Sequence, residues 1–435
     1  MAITRREFLK SSAAAATALT VPHPLFRGMA QAAGPSGAIL VILQMEGGND
    51  GLNMVTPIDG PQRALYETAR PNLQIPPASL LALDDDPVTG DAIGLHPSMP
   101  ELHTLYGAGK VAVVNGVGYP TQSLSHFRSE DIWMGGIGSS QLYVDGWFGR
   151  FLDAGFPGQL VTMDCDTQLS PIFFCDDCNV LAIKTLSQFA IPDDPLAPDL
   201  AAKTTALQAA YADEAASATG VQLSIGVSGD ALLGKMDDYA QVSTSWSSNL
   251  NGLTGGLAAR LKQVASVIRY DNALPAPTSP AGARFFHVRI GGFDTHTNQG
   301  VTSGRQPDLL AQISKAVKAF YDDMVALGVA NKVLLVTFSE FGRRVAENGG
   351  PTVAGTDHGA AAPLFVVGNG VVAAPGGGHV FGRIPALDAG LLDGGRNLAY
   401  HTDFRRVYAT IIDKWLNGNS ATVLGGAFPS VGFLA

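Results

Sequence analysis

The sequence predicts an α/β protein in which a mostly parallel central sheet carries helices on both faces. Mainly apolar runs at Ala38–Met45, Phe285–Ile290 and Val333–Phe338 are typical of short strands buried on both faces. Between the last two runs, residues 309–327 carry apolar side chains at helical spacing. This strand, helix, strand order predicts a parallel pair with a right-handed crossover.

The start of the chain resembles a twin-arginine export signal. An arginine pair at residues 5–6 precedes an apolar stretch at Ala13–Val21 and an Ala-Gln-Ala site at 30–32 that suits a signal peptidase. We therefore expect residues 1–32 to be a signal peptide read by the twin-arginine translocase, and the mature protein to be periplasmic or secreted. The apolar stretch is shorter than the ~20 residues of a membrane span, so no stable membrane anchor is expected.

Composition narrows the possible partners. With 28 basic against 38 acidic residues the formal net charge is −10, which argues against a nucleic-acid partner. A small anionic substrate would need a local basic pocket or a metal ion.

Three cysteines, Cys165, Cys175 and Cys178, leave the disulfide pairing open. In an oxidising compartment one pair is expected to be bridged and one thiol left over. Because there is no second C-x-x-C, the Cys175–Cys178 spacing favours a local disulfide or a plain loop over a zinc or redox motif.

The first strand leads into a glycine-rich turn, Gly47-Gly48-Asn49-Asp50-Gly51. Glycines allow a ligand to approach the backbone closely, so Asp50 is a candidate metal ligand at the carboxyl end of the strand. A tight turn also favours Asn-Asp-Gly for its own conformational reasons. Both interpretations of Asp50 stay open.

A second strand is predicted at Lys110–Gly116, followed by a helix that runs through Trp133. Ser123, Ser125 and His126 then lie at a strand-to-helix turn, where free backbone N–H groups and the helix dipole attract an anion. Ser125 is a candidate nucleophile and His126 a candidate catalytic residue beside it. The alternative is that Ser125 or Ser123 only caps the helix.

Residues 151–284 differ from the rest of the chain in composition and are predicted to be an insertion within a single domain that spans 33–435. Helices are expected at Asp199–Ser217 and Leu253–Tyr270, and the proline-rich residues 272–283 are typical of a linker. This part contains no obvious group of candidate catalytic or metal-binding residues.

Most of the unusual polar residues lie beside later strands. The motifs G-G-F-D-T-H at 291–296 and S-E-F-G-R at 339–343 follow apolar runs, and G-T-D-H-G at 355–359 precedes another run at Leu364–Val367. Side chains that follow successive parallel strands converge at one edge of a sheet. Mixed carboxylates and imidazoles are ligands for a divalent metal, with Zn, Mn, Mg, Ca and Fe as candidates. Separate turn or cap roles are the alternative. The candidate ligands are Asp50, Asp294, His296, Glu340, Asp357 and His358.

The ordered motifs behind the twin-arginine signal resemble one family, the exported proteins of unknown function called DUF1501, grouped with the alkaline phosphatase and sulfatase superfamily. The resemblance implies an alkaline phosphatase-like α/β fold with one or two divalent metals at the strand ends. It places the first-strand Asp on Asp50, the nucleophile near Ser125, the Asp and His pair on Asp294 and His296, and the late His on His358. Where the superfamily has an adjacent Asp-His pair, this chain has Glu340-Phe341.

Two functions are compatible with these residues. The first is an exported metal-dependent hydrolase of phosphate or sulfate esters, with a serine or a metal-bound water as nucleophile and Arg343 binding the oxygens of a small anionic substrate. The second is a non-catalytic envelope protein that keeps the fold and binds a glycan or a protein partner. The Phe at position 341 favours the second function, and the Asp, His, Glu and Ser side chains at the strand ends favour the first.

The export signal makes a direct prediction. Because the signal depends on two adjacent guanidinium groups, replacing Arg5 and Arg6 by lysine together should leave the protein in the cytoplasm. Cell fractionation and immunoblotting measure the outcome. Undiminished export of the double variant would remove the twin-arginine interpretation.

Overall fold

The computed structural model describes residues 37–142, 144–157, 160–176, 178–188, 199–217, 221–273 and 284–435. The predicted signal peptide at 1–32 lies outside these ranges. Within them, no helix is both long enough and apolar enough to cross a membrane.

Strands and helices are numbered separately in chain order. The strands are β1 (Ile39–Glu46), β2 (Val55–Pro57), β3 (Leu81–Ala82), β4 (Ile93–Leu95), β5 (Val111–Gly118), β6 (Leu160–Asp164), β7 (Asn179–Ala182), β8 (Phe285–Gly291), β9 (Val333–Phe338), β10 (Arg343–Asn348), β11 (Gly355–His358), β12 (Ala362–Gly368), β13 (Val380–Gly382) and β14 (Thr402–Asp403). The helices are α1 (Gly51–Met54), α2 (Gly60–Ala69), α3 (Pro100–Gly107), α4 (His126–Gly135), α5 (Trp147–Gly155), α6 (Leu200–Ser217), α7 (Val221–Ala240), α8 (Gly256–Ala273), α9 (Arg305–Ala326), α10 (Phe404–Thr410) and α11 (Ser420–Leu424).

The central sheet has the strand order β13-β5-β12-β9-β1-β8-β6-β7, with β14 paired to β5. The strand β1 lies between β8 and β9 and is parallel to both. Only β12 runs against its neighbours, since it pairs antiparallel with β5 and β9. The predicted fold class, a mainly parallel α/β sheet, is therefore confirmed.

Both faces of this sheet are buried, as the apolar runs predicted. In β1, Val41 and Leu43 belong to one hydrophobic core, which α3, α8 and α9 complete. Leu40 and Ile42 belong to the other core, which α4, α5 and α10 complete. Side chains alternate between the faces of a strand, so one run of eight residues serves both cores.

The segment predicted as an insertion, about 151–284, is partly sheet. The strand β6 pairs parallel with β8, and β7 pairs parallel with β6, so both extend the central sheet at its edge. The helices α6 and α8 confirm those predicted at 199–217 and 253–270, whereas α7 was not predicted. These edge strands are short and lie in a Pro, Asp and Cys-rich stretch that gives no clear strand pattern.

The cysteine pairing is settled by geometry. Cys175 and Cys178 form a disulfide, and Cys165 is a buried free thiol. Burial raises the pKa of the Cys165 thiol well above its usual value. The C-x-x-C motif is therefore a local disulfide, as its spacing favoured.

The parallel strands deliver their following loops to one edge of the sheet. A hairpin of β10 and β11 lies at this edge, with Arg343 opposite His358 in register. The motif 355–359 precedes the strand β12, as expected, and its first four residues form the further strand β11. The hairpin brings the motifs after β9 and before β12 together.

A buried ion pair anchors the loop after β1. Arg70 donates to both carboxylate oxygens of Asp50, at 2.5 and 3.0 Å, and both side chains are fully buried. The same guanidinium donates to the backbone oxygens of Arg344 and Val345 in β10, each at 2.8 Å. Arg70 therefore ties the first loop to the β10–β11 hairpin.

We expect Arg70→Met to lower the free energy of unfolding by about 3–5 kcal/mol, because it leaves the Asp50 carboxylate buried without a counter-charge. Glu67→Gln is the matched control, since it removes a partly exposed helix pair with Arg63 and should cost under about 1 kcal/mol. Chemical denaturation measures both. A loss for Arg70→Met no larger than that of the control would contradict a structural role for this pair.

Candidate metal centre

Close backbone contacts bring the loops after β1, β8 and β9 together. Gly47 has φ +114°, and a Cβ there would lie 2.5 Å from the backbone nitrogen of Asp294. A Cβ on Gly48 would overlap the ring of Phe341. The backbone nitrogen of Gly47 also donates to the Glu340 carboxylate at 2.9 Å. The glycine turn is thus required by packing, whatever its other roles.

Three histidines at this edge are each held by an acceptor at Nδ1. His126 contacts Glu340 Oε1 at 2.7 Å, and His296 contacts Asp357 Oδ1 at 3.1 Å. The third, His358, contacts a backbone oxygen, that of Leu124, at 2.8 Å. Carboxylate and carbonyl oxygens accept hydrogen bonds, so each Nδ1 donates, and Nε2 is the nitrogen through which each ring would bind a metal ion.

The three Nε2 atoms face the Asp294 carboxylate. His296 Nε2 and His358 Nε2 each lie 3.1 Å from Asp294 Oδ1, and His126 Nε2 lies 3.5 Å from Oδ2. The Nε2 atoms of His296 and His358 lie 3.0 Å apart. Ligand atoms of His126, Asp294 and His358 all lie within 4.8 Å of one another. We call these four residues, His126, Asp294, His296 and His358, the histidine cluster.

The chemistry of the histidine cluster fits a divalent metal ion. Ring nitrogens and carboxylate oxygens that approach one another this closely need protons or a cation among them. Imidazole nitrogens together with a carboxylate oxygen are a ligand set typical of Zn, Mn or Fe. Carboxylates behind ligating histidines, as Glu340 and Asp357 are here, recur in metal sites, where they fix the tautomer and orient the ring.

The Arg343 side chain binds Asp294 inside the protein and does not reach solvent. Its guanidinium is fully buried and donates to Asp294 Oδ1 at 2.6 Å. The remaining donors bind backbone oxygens, among them those of Gly47 and Gly48 at 2.5 and 2.6 Å. Burial raises the pKa of Asp294, but the hydrogen bond and charge of Arg343 outweigh that effect and lower it. The predicted contact of Arg343 with substrate oxygens is not met, because all three of its nitrogens are engaged inside the protein.

Two predicted metal ligands lie behind the histidines instead. Glu340 is fully buried and hydrogen-bonded to His126, and this bond raises the pKa of the His126 imidazole. Asp357 accepts from His296 and Asn348 and pairs with Arg344 at 3.1 Å. Burial alone would raise the pKa of Asp357, but these hydrogen bonds lower it. Glu340 and Asp357 therefore orient the ring nitrogens rather than join them.

Asp50 is not brought into the histidine cluster. Both of its carboxylate oxygens are engaged by Arg70, and Oδ2 also accepts from Gln299 at 2.6 Å. Its predicted place as a metal ligand is taken by this guanidinium. Helix α2 and the residue that follows it carry no motif, so nothing in the sequence singled out Arg70.

Ser125 lies where the turn prediction put it, directly before α4. It holds the N-cap position, but its hydroxyl makes no capping hydrogen bond and the residue is exposed. Its neighbours in sequence both contact the cluster, since Leu124 accepts from His358 and His126 belongs to it. Ser123 Oγ accepts from the backbone nitrogen of Ser125 at 3.3 Å, so Ser123 shapes the turn.

His126 was predicted to be catalytic, and its Nε2 faces Asp294 beside the candidate ligands His296 and His358. The signal for a ligand was present in its position after a core strand, but its partner Glu340 lies 214 residues away. Phe341, which stands where a histidine was expected, is buried and packs against His126 and His358 with ring centroids 4.8 and 4.7 Å apart. It holds the two rings from the side opposite to solvent.

Known structures that align with this chain are distant. A sulfatase from Pseudoalteromonas aligns with 92% of this chain and 72% of its own, at 11% identity and a TM-score of 0.37. An alkaline phosphatase superfamily protein from Vibrio parahaemolyticus aligns with 84% of this chain and 69% of its own, at 9% identity and a TM-score of 0.34. The periplasmic domain of EptC from Escherichia coli, solved with Zn, aligns with 77% of this chain and 74% of its own, at 11% identity and a TM-score of 0.29.

No protein of curated function is similar to this chain in sequence. A family match exists over its C-terminal part, which holds β8 to α10 and, with them, three members of the histidine cluster. The family expected from the ordered motifs is confirmed there: residues 274–409 match DUF1501, a family described as proteins of unknown function.

Proposed function

We propose that this chain is an exported metal-dependent hydrolase of phosphate or sulfate esters. The observation that carries the proposal is the convergence of three ring Nε2 atoms on the Asp294 carboxylate. His126, Asp294, His296 and His358 would hold one divalent ion. Such an ion supplies Lewis acidity toward the oxygens of a phosphoryl or sulfuryl group.

The residues around the ion divide the remaining tasks. Glu340, Asp357 and the Leu124 carbonyl keep the protons on the Nδ1 atoms, so that the lone pairs face the ion. The free N–H groups at the start of α4 attract the anionic group of a substrate. Ser125, exposed and without a capping bond, is the candidate nucleophile at that helix end.

Export and a periplasmic or secreted location are part of this proposal. They are supported by the arginine pair, the apolar stretch and the Ala-Gln-Ala site in the first 32 residues. The disulfide between Cys175 and Cys178 is compatible with an oxidising compartment.

A second function, binding of a glycan or protein partner without catalysis, has one observation in its favour. The two charged groups that were expected to serve the reaction directly, Asp50 and Arg343, are both engaged inside the protein. If metal-loaded protein turns over no phosphate or sulfate ester in a broad panel, this second function becomes the better account.

Metal binding is tested by removing ligands one at a time. We expect the mature wild-type protein to bind about one divalent ion and to melt at lower temperature after chelation. His358→Ala should lose stoichiometric binding, and Glu340→Gln should weaken it about 10–100-fold through loss of orientation. Affinity should also fall at acidic pH, because the ring nitrogens must be unprotonated to bind.

Two variants serve as controls for metal content, measured by elemental analysis and titration. His401→Ala removes an exposed histidine outside the cluster, and Asp50→Asn changes a carboxylate bound to Arg70. Both should retain the ion if they fold. A wild-type protein that takes up no Zn, Mn or Fe on titration would eliminate the site.

The nucleophile is tested by comparing two serines. Once an ester substrate is found in a panel of phosphate and sulfate esters, Ser125→Ala should be folded, metal-loaded and inactive. Ser123→Ala should lose only part of the activity, because Ser123 shapes the turn. Turnover by Ser125→Ala close to that of wild type would mean that Ser125 is not the nucleophile and that another group has this role.

A further inference from the structure

The three most exposed large apolar side chains of the described residues lie on α4 and in the segment that follows it. Phe127 is 84% exposed, Leu142 88% and Val144 74%. We call these three residues the apolar rim. Single exposed apolar residues are ordinary, but apolar side chains gathered beside a polar site are typical of a binding surface.

Hydrogen bonds hold the loop that carries Leu142 against the start of α4. Arg128, in the first turn of the helix, donates to the backbone oxygen of Ser139 at 2.9 Å and also to that of Gln141. Ser139 Oγ in turn donates to the backbone oxygen of Pro120 at 2.9 Å. The residue before Leu142 is thus fixed beside the same helix turn that carries Phe127.

The geometry of a helix puts Phe127 between the histidine cluster and this loop. Successive side chains leave a helix about 100° apart. His126 is directed into the cluster and Arg128 toward residues 139–141, so Phe127 emerges between these two directions. An apolar group attached to an anion bound at the cluster could therefore reach Phe127, and the segment that leads to Leu142 is bound to the same helix turn.

We propose that the apolar rim binds the apolar portion of the substrate, and that the substrates are therefore amphiphilic esters whose anionic group lies at the histidine cluster. This inference rests on the proposed function, since it extends the same site. A mixed pocket of this kind, with polar groups that orient the ligand and apolar groups that bury it, is typical of small-molecule sites. An anionic bilayer is the less suitable occupant, because the chain carries a net charge of −10.

The test uses two non-hydrolysable probes with the same anionic group, methylphosphonate and hexylphosphonate, titrated calorimetrically into Zn-loaded mature protein. We expect hexylphosphonate to bind at least about tenfold more tightly in the wild type. Phe127→Ser and Leu142→Ser should each reduce that ratio while leaving methylphosphonate affinity, zinc content and melting temperature unchanged. Val325→Ser is the matched control, because Val325 is 51% exposed near the end of α9, at the opposite edge of the sheet.

The outcomes separate this inference from the proposed function. Equal affinity for the two phosphonates in the wild type overturns the apolar subsite and leaves the metal-dependent anion site intact. If neither phosphonate binds the zinc-loaded protein, the proposed function fails and the inference fails with it. Equal affinities combined with binding to phosphatidylcholine vesicles that depends on Phe127 would assign the apolar rim to a membrane surface instead.

Discussion

The candidate site depends on three hydrogen bonds made on the far side of its histidines. Each Nδ1 donates to a fixed oxygen, on Glu340, Asp357 or the Leu124 backbone, so each Nε2 faces Asp294. Histidine can carry its proton on either nitrogen, and an acceptor at Nδ1 favours the proton there. The surrounding structure serves to keep the three acceptors in place, and the mutual repulsion of the Nε2 atoms is the reason to expect a cation.

Buried guanidinium groups hold the loops around the histidine cluster. Arg343 binds the backbone after β1 and the Asp294 carboxylate, and thereby links the loops that follow β1 and β8. Arg70 neutralises Asp50 and binds the backbone of β10. A carboxylate neutralised in this way has no need of a metal ion. The arrangement therefore supports one metal position, at the histidine cluster, and leaves Asp50 with a structural role.

The sequence was informative where the determinants are local. The strand β9 was predicted with its observed ends and β1 to within a residue, because a run buried on both faces is apolar throughout. The motifs beside the predicted strands also identified Asp294, His296 and His358 as candidate metal ligands. The pairing of Asp50 with Arg70 was not predictable, because each residue alone looks like an ordinary turn or helix residue. Short edge strands such as β7 were not predicted for a similar reason, since a strand of four residues is too short to show a clear hydrophobic pattern.

The central claim is that three imidazoles and one carboxylate share a single ion. X-ray absorption spectroscopy on the zinc-loaded mature protein measures this most directly, because ring scattering counts the histidines bound to the metal. The account predicts about three imidazole nitrogens at ~2.0–2.1 Å with one carboxylate oxygen, and loss of one imidazole in His126→Ala. A zinc ion bound mainly by oxygen, with an unchanged spectrum in His126→Ala, would contradict it.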